Sequence, residues 1–308
     1  MNLKKLYTQS SSAGDGGGNS ESAELAAAAT AAMDIVEEFV GSLNHRRLYR
    51  EATLALRAGL RDARAEFSFL RVRGLRCILN FLHSVADSDE MIQLFCLTQS
   101  LADLQVVPVL FRHSLREIEE DRVINLDRIF TEDPMKLTSP STNTEVALAL
   151  RVLEGCCLVH RQSTIVAHQQ KAIPVLMNIL SSRGVWEQGA CLDALIALLL
   201  DSTANQMDFE ACNGIEEVAA IIRDKQVDEK VRMKCAEFLL LLIGHVDARE
   251  MQAMATIHSD IRRLLGEKPA SLIWAASQFG STLDPEERMT SLKIQARRVL
   301  ESLDLFGV

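Results

Sequence analysis

The chain repeats itself, and the period of the repeat restricts the folds open to it. Ala172-Ile173-Pro174-Val175-Leu176-Met177-Asn178-Ile179-Leu180 lines up with Gly214-Ile215-Glu216-Glu217-Val218-Ala219-Ala220-Ile221-Ile222, a displacement of 42 residues from 172 to 214. A weaker third copy, Val106-Val107-Pro108-Val109-Leu110, starts 66 residues before Ala172. After each copy comes a second apolar helical segment, beginning near Glu145, Gln188 and Glu229 and rich in Leu, Ala and Cys. The first interval is longer than the second by 24 residues, and the surplus matches a polar, acidic stretch at 117–144 that reads as an insertion.

A period near 42 built from helix pairs is that of armadillo and HEAT repeats, where one unit cannot bury its apolar face alone and must stack on its neighbours. The expected fold is therefore all-α: an armadillo/HEAT-like helical repeat stack (α-solenoid) forming a single domain over 23–308. Residues 1–22, rich in Ser, Gly, Asn and acids from residue 9 on, read as a disordered tail, because they cannot bury enough apolar surface to offset the entropy of ordering. The run Gly14-Asp15-Gly16-Gly17-Gly18 has neither a following Lys-Ser/Thr nor a preceding strand, so it is not read as a phosphate loop. Stacks of helices usually bind partners and seldom carry out chemistry.

Composition agrees with that class. Apolar residues make up 48% of the 308, enough for a continuous core, while the 5% of aromatics suits helices packed by Leu and Ala. A formal net charge of −9 argues against general attraction to nucleic acid or to an anionic membrane, both of which need a cationic surplus. The charge is unevenly spread: between Gly41 and Asn80 lie Arg46, Arg47, Arg50, Arg57, Arg61, Arg64, Arg71, Arg73 and Arg76, against Glu51, Asp62 and Glu66. The seven cysteines include no Cys-x-x-Cys pair, so neither a disulfide framework nor a zinc site is expected, and a reducing compartment is the natural one. The N-terminus lacks an apolar signal core. The longest apolar runs, Ala194 to Leu200 and Phe238 to Ile243, fall far short of the roughly 18 residues of a membrane span. A soluble intracellular protein is expected, in the cytoplasm, with the nucleus as a further location.

Along the chain, the Ala-rich stretch from Ser22 to Val40 predicts a helix with Ile35, Val36, Phe39 and Val40 on one side, read as a cap on the stack. Helices are predicted at Leu48–Ala65, Phe67–Ser84 and Asp89–Ala102, with Ser88 or Asp89 capping the last. Pro108 and Pro174 occupy the same point of their units, which suggests the first helical turn, where the missing N–H costs nothing. Three stripes at helical spacing predict core ridges: Val146, Ala149, Leu150, Leu153, Cys157; Cys191, Ala194, Leu195, Leu198, Leu199; and Val231, Cys235, Phe238, Leu239, Leu242. Asn205 and Asn213-Gly214 read as turn chemistry, and a final amphipathic helix is expected over Asp284–Leu305 with Pro285 near its start. The polar loop from Thr131 to Pro140 ends in Ser139-Pro140, a proline-directed phosphorylation motif of low specificity.

No nucleophile elbow, Walker loop, zinc-protease helix or kinase signature is present. A tyrosine-phosphatase cysteine needs Arg six positions on, and His83, Ala102, Gln162, Ser163, Ala197, Val218 and Leu241 stand there instead. The cysteines on the stripes read as small buried hydrophobes, and His160 and His168 as helix-end or surface residues. No enzyme, cofactor, metal or small-molecule substrate is expected. The Arg-rich helices either present a solvated outer face or line a groove for an acidic or phosphorylated partner, through Arg57, Arg61 and Arg64.

At the second unit the residues suggest a family. Ala149-Leu150-Arg151-Val152-Leu153-Glu154-Gly155-Cys156-Cys157-Leu158-Val159-His160-Arg161-Gln162-Ser163 resembles the segment that, in the septation-initiation-network family called cell division control protein 14, reads as an apolar helix, an acidic or amide residue with Gly, a Leu-x-His ending and a Ser. Leu198-Leu199-Leu200-Asp201 with Asn205 and Phe209-Glu210, and Lys230-Val231 with Lys234 and Glu237-Phe238-Leu239, look like the next two blocks. The resemblance covers Asp89 to Gly244, with an echo in Asp284-Pro285-Glu286-Glu287-Arg288; the tail, the Arg-rich helices and Asp247 to Gly280 have no matched counterpart. It implies a non-catalytic adaptor or regulatory subunit that binds and supports a germinal-centre-type Ser/Thr protein kinase in mitotic-exit and septation signalling, and it excludes the unrelated phosphatase of the same name. Polar residues of that pattern outside the stripes, Glu154, His160, Arg161, Lys230, Lys234 and Glu237, are the candidate partner contacts. The alternative, from the fold class alone, is an armadillo-type receptor for linear peptides serving cargo or the cytoskeleton.

Overall fold

The computed structural model describes residues 19–116, 139–200, 202–249, 256–277 and 285–305. Those residues form helices, turns and short irregular segments, and none of them is in a strand: the fold is all-α. The chain divides into two compact units, 1–51 and 52–308. Helix α1, Asn19–Ala63, is continuous, although the sequence suggests two separate helices there. In the first unit the Ile35, Val36, Phe39 and Val40 side chains are all exposed. The segments at 1–18 and 117–138, which carry most of the expected tail and of the expected insertion, lie outside the described residues, while 19–22, read as part of the tail, belong to α1.

In the second unit, helices follow as α2 (Ser68–Ala86), α3 (Asp89–Gln99) and a short α4 (Val107–Val109) that runs into a π-turn over Leu110–Ser114. Next come α5 (Asn143–Val159), α6 (Gln162–Gln169), α7 (Ala172–Ser182), α8 (Val185–Leu199), α9 (Thr203–Ala211) and α10 (Gly214–Arg223). The series ends with α11 (Glu229–Arg249), α12 (Ile257–Leu265), α13 (Glu267–Ser277) and α14 (Pro285–Leu305). The predicted second helices are α5, α8 and α11. They pack in a row, α2 on α5, α5 on α8, α8 on α11 and α11 on α14, while α7 lies against α8 and α10 against α11. All fifteen residues of the three predicted stripes are buried and belong to one apolar cluster.

Among the described residues Lys171 and Asn213, 42 apart, are the non-glycine residues with positive φ, at 55° and 53°, and each leads into the first turn of a helix, α7 or α10. Asn tolerates this left-handed conformation, as the sequence suggests; Lys171 carries it without that advantage. One step on, the copies differ. A Cβ on Gly214 would stand 2.2 Å from the ring of Phe209, whereas Ala172 fits because its unit has Ala167 where the other has Phe209. Both Ala167 and Phe209 are fully buried, so the volume gained at one position is surrendered at the other.

A second close approach joins α2 to the end of α1. A Cβ on Gly74 would lie 2.5 Å from the Gly59 carbonyl oxygen and 2.4 Å from the Ala63 nitrogen, so the two backbones meet where neither side has a side chain. Pro108 and Pro174 both lie in first turns. Asn205 is not a turn residue: it is fully buried within α9, where its amide donates to the carbonyls of Leu198 (3.0 Å) and Thr164 (3.3 Å) and pins three helices together.

Candidate functional site

Two charged networks bridge the row of second helices, and their settings differ. At the α2/α5 junction, Arg71 and Glu145 are buried at 1% and 0% exposure. Arg71 Nε donates to Glu145 Oε1 at 2.6 Å and Nη2 to Oε2 at 3.1 Å; its other donors reach the carbonyls of Ala65, Glu66 and Ser139. All five guanidinium hydrogens thus have acceptors. Glu145 also accepts from the Ser68 hydroxyl at 2.6 Å and the Ser141 hydroxyl at 3.3 Å. The sequence reading placed Arg71 among surface arginines; it is instead a structural clamp. Ser139, the proposed phosphorylation residue, belongs to the same junction, its hydroxyl accepting from the Ser68 amide at 2.6 Å.

The second network crosses α5, α8 and α11 and gathers three of the candidate contacts. Lys234 Nζ lies 2.8 Å from Asp193 and 3.5 Å from Glu237, with Lys234 and Asp193 each about a third exposed. Glu154 faces the same group from α5. Burial raises its carboxyl above the usual glutamate range, the Asp193 charge adds to that, and Arg151 and Lys234 work against it. For Lys234, burial acts to lower the ammonium pKa, and its bonds to Asp193 and the nearby Glu237 outweigh that and raise it, keeping the amine charged. Helices α5 and α11, which carry Glu154 and Lys234, each pack against α8, and Asp193 of α8 is the link between them. Sequence reasoning missed Asp193, yet a signal was there: it is the one charge in the apolar run from Ala190 to Leu200.

Helical spacing puts exposed apolar side chains on the same faces of these helices as the network: Leu158 four residues after Glu154 in α5, 62% exposed, Trp186 seven before Asp193 in α8, 78% exposed, and Leu241 seven after Lys234 in α11, also exposed. Lys230, one turn before Lys234, is exposed as well. His160 and Arg161 stand apart, about 9 Å along the helix axis beyond Glu154 at 1.5 Å per residue. His160 ends α5, with Nδ1 3.0 Å from the Ser163 hydroxyl and its ring edge-on to Phe95; burial lowers its pKa. Arg161 is exposed. His168 Nδ1 stands 2.8 Å from the Asp208 carboxylate, at the end of α6, so both histidines are helix-end residues.

Of the candidate arginines, Arg57 and Arg61 are exposed on successive turns of α1, Arg61 beside Asp62 at 3.4 Å. Arg64 has a structural bond, donating to the Asp103 carbonyl at 2.8 Å. The stripe cysteines are poor nucleophiles: burial pushes the Cys157 and Cys235 thiols up to about 12 and raises Cys191 further. Among the described residues no group of His, Cys, Asp and Glu is placed to hold a metal ion, and no helix is long and apolar enough to cross a membrane.

Neither a search of curated proteins nor one of solved structures finds a match. A family match does exist, over residues 123–297, to the family described as Cell division control protein 14, SIN component. It takes in α5 to α11 with both halves of the Glu154–Asp193–Lys234 network. It also takes in 247–280, for which the sequence reading found no counterpart, and most of the polar stretch read as an insertion; 89–122 falls outside it. The match spans more than half of the chain, and the protein therefore belongs to the cell division control protein 14 family, a component of the septation initiation network.

Proposed function

We propose that the chain is a non-catalytic, armadillo-like helical-repeat adaptor that binds and supports a germinal-centre-type Ser/Thr protein kinase in septation signalling. The observation that carries this reading is the charged network of Glu154, Asp193, Lys234 and Glu237, set across three consecutive second helices and flanked by exposed Trp186, Leu158 and Leu241. Stability does not require it, since half-exposed ion pairs contribute little. A partner that desolvates the network gains from charges already held in place, and the uncovered Trp and Leu are the residue types that supply contact energy at interfaces. The septation-network family supports signalling as the setting.

The test is recovery of kinases by the immobilised protein, with mass spectrometry of what is retained. A variant carrying Lys230→Glu, Lys234→Met and Trp186→Ala keeps its helicity and melting temperature within a few degrees and loses the kinase. Retention by the folded variant rejects this surface. If the wild type recovers no kinase and captures short linear peptides instead, the adaptor reading gives way to the peptide-receptor one.

A further inference from the structure

The first unit carries an apolar face that no described residue covers. On α1, Met33, Ile35, Val36, Phe39, Val40 and Leu43 are all exposed, Ile35 at 66% and Phe39 at 63%. Met33, Val36, Val40 and Leu43 follow one another at intervals of three, four and three residues, the spacing of a coiled-coil seam. Single exposed apolar residues are ordinary, but a contiguous strip along one helix marks a contact surface.

The charges on either side of the strip say what fits it. Asp34, Glu37 and Glu38 lie along its N-terminal half; Arg46, Arg47 and Arg50 follow just beyond its C-terminal end. Arg47 is held by Glu51 at 2.9 Å, while Asp34, Glu37, Glu38, Arg46 and Arg50 form no ion pair among the described residues. An acidic segment before Val40 and a basic segment after Leu43 on one helix are complementary to the same helix running the other way. We propose that residues 29–51 of α1 pair antiparallel with the same stretch of a second copy of this chain, forming a two-fold helix dimer. In the register that these charges favour, Val40 of one copy meets Leu43 of the other, and Arg47 and Arg50 lie level with Val36 and Met33. The arginine stems then cover the seam while their guanidinium groups reach Glu37 and Asp34. A parallel pairing would set acid on acid and base on base. The contact is self-complementary, as a closed two-fold dimer requires. It runs about 35 Å along the helix at 1.5 Å per residue, a short interface whose dimer dissociates on dilution.

Sedimentation velocity of the full chain over a concentration series tests this. The wild type shows a concentration-dependent monomer–dimer equilibrium; Val36→Lys with Val40→Lys weakens it by tenfold or more without change in helicity. Glu37→Arg with Glu38→Arg also weakens it about tenfold, by making both ends basic, and adding Arg46→Glu and Arg47→Glu restores it. A wild type that stays monomeric throughout overturns the proposal, as does a dimer indifferent to Val36 and Val40. Association that survives the half charge reversal overturns the antiparallel arrangement.

Discussion

The α2/α5 and α8/α11 junctions each hold an ion pair between neighbouring helices of the row, 2.6 Å for Arg71–Glu145 and 2.8 Å for Lys234–Asp193, yet they do different work. The first pair is fully buried, and every guanidinium hydrogen has an acceptor. Such a pair resists the loss of either partner while adding little beyond what apolar packing would give, and its value lies in fixing which surfaces meet. The second pair is about a third exposed, shares its amine with Glu237 and stands near Glu154, whose carboxyl pKa is raised by burial and by the Asp193 charge. Burial separates a clamp from a surface that is open to a partner, although distance and residue type are nearly the same.

The sharpest way to break this comparison is at the clamp. Glu145→Ala leaves the Arg71 charge buried without its partner and destabilises the fold by about 3–5 kcal/mol in urea denaturation. Replacing the pair together, Arg71→Met with Glu145→Leu, recovers most of that loss; a double variant as unstable as the single one would mean that the pair itself, and not the stranded charge, holds the junction. At the exposed network the expected loss is much smaller. Lys234→Met with Asp193→Asn costs at most about 1 kcal/mol, because solvent screens the charges already. A loss as large as that at Glu145 would erase the distinction drawn between the two junctions.

Glu154 offers a finer test. Its carboxyl titrates above the ordinary glutamate value in the folded protein, so folding favours the protonated form. The stability this confers is complete below the unfolded value and lost as the pH rises through the raised folded value. Glu154→Gln removes the loss, and the stability of the variant relative to wild type therefore increases as the pH rises through that window. Parallel denaturation curves at acid and neutral pH, with a constant difference between the two proteins, would show that Glu154 is not held in the network. The smallest effect is expected at Arg57→Glu with Arg61→Glu, both on the open face of α1, where the melt stays within about 0.5 kcal/mol of wild type.

Much of the fold was legible in the sequence because helical stacks write their core as periodic stripes. All fifteen stripe residues are buried, and the starts of α5, α8 and α11 fall within three residues of expectation. Helix ends and turns were legible where local chemistry decides them, as at Asn213-Gly214 and Pro174. The errors share one cause: a polar residue's setting depends on groups far away in the chain. Arg71 reads as one arginine in a basic run until Glu145, 74 residues on, closes on it. Asn205 reads as a turn until the Thr164 and Leu198 carbonyls are placed beside it. Glu154, Lys234 and Glu237 could be singled out one by one, but Asp193, the residue that joins them, became meaningful only when α8 was set between α5 and α11.

By itself, the sequence determined the helical class, the core ridges and the family, since each follows from residue type and spacing along one segment. The tertiary structure alone decided which charges are clamps and which face solvent. It also decided that Gly59 and Gly74 meet backbone to backbone, that Gly214 makes room for Phe209, and that the Ile35–Leu43 face is left uncovered. The reason is physical. Apolar periodicity is a property of one helix, whereas the energy of a charge or the space around a Cβ is set by neighbours that only the packed chain brings together.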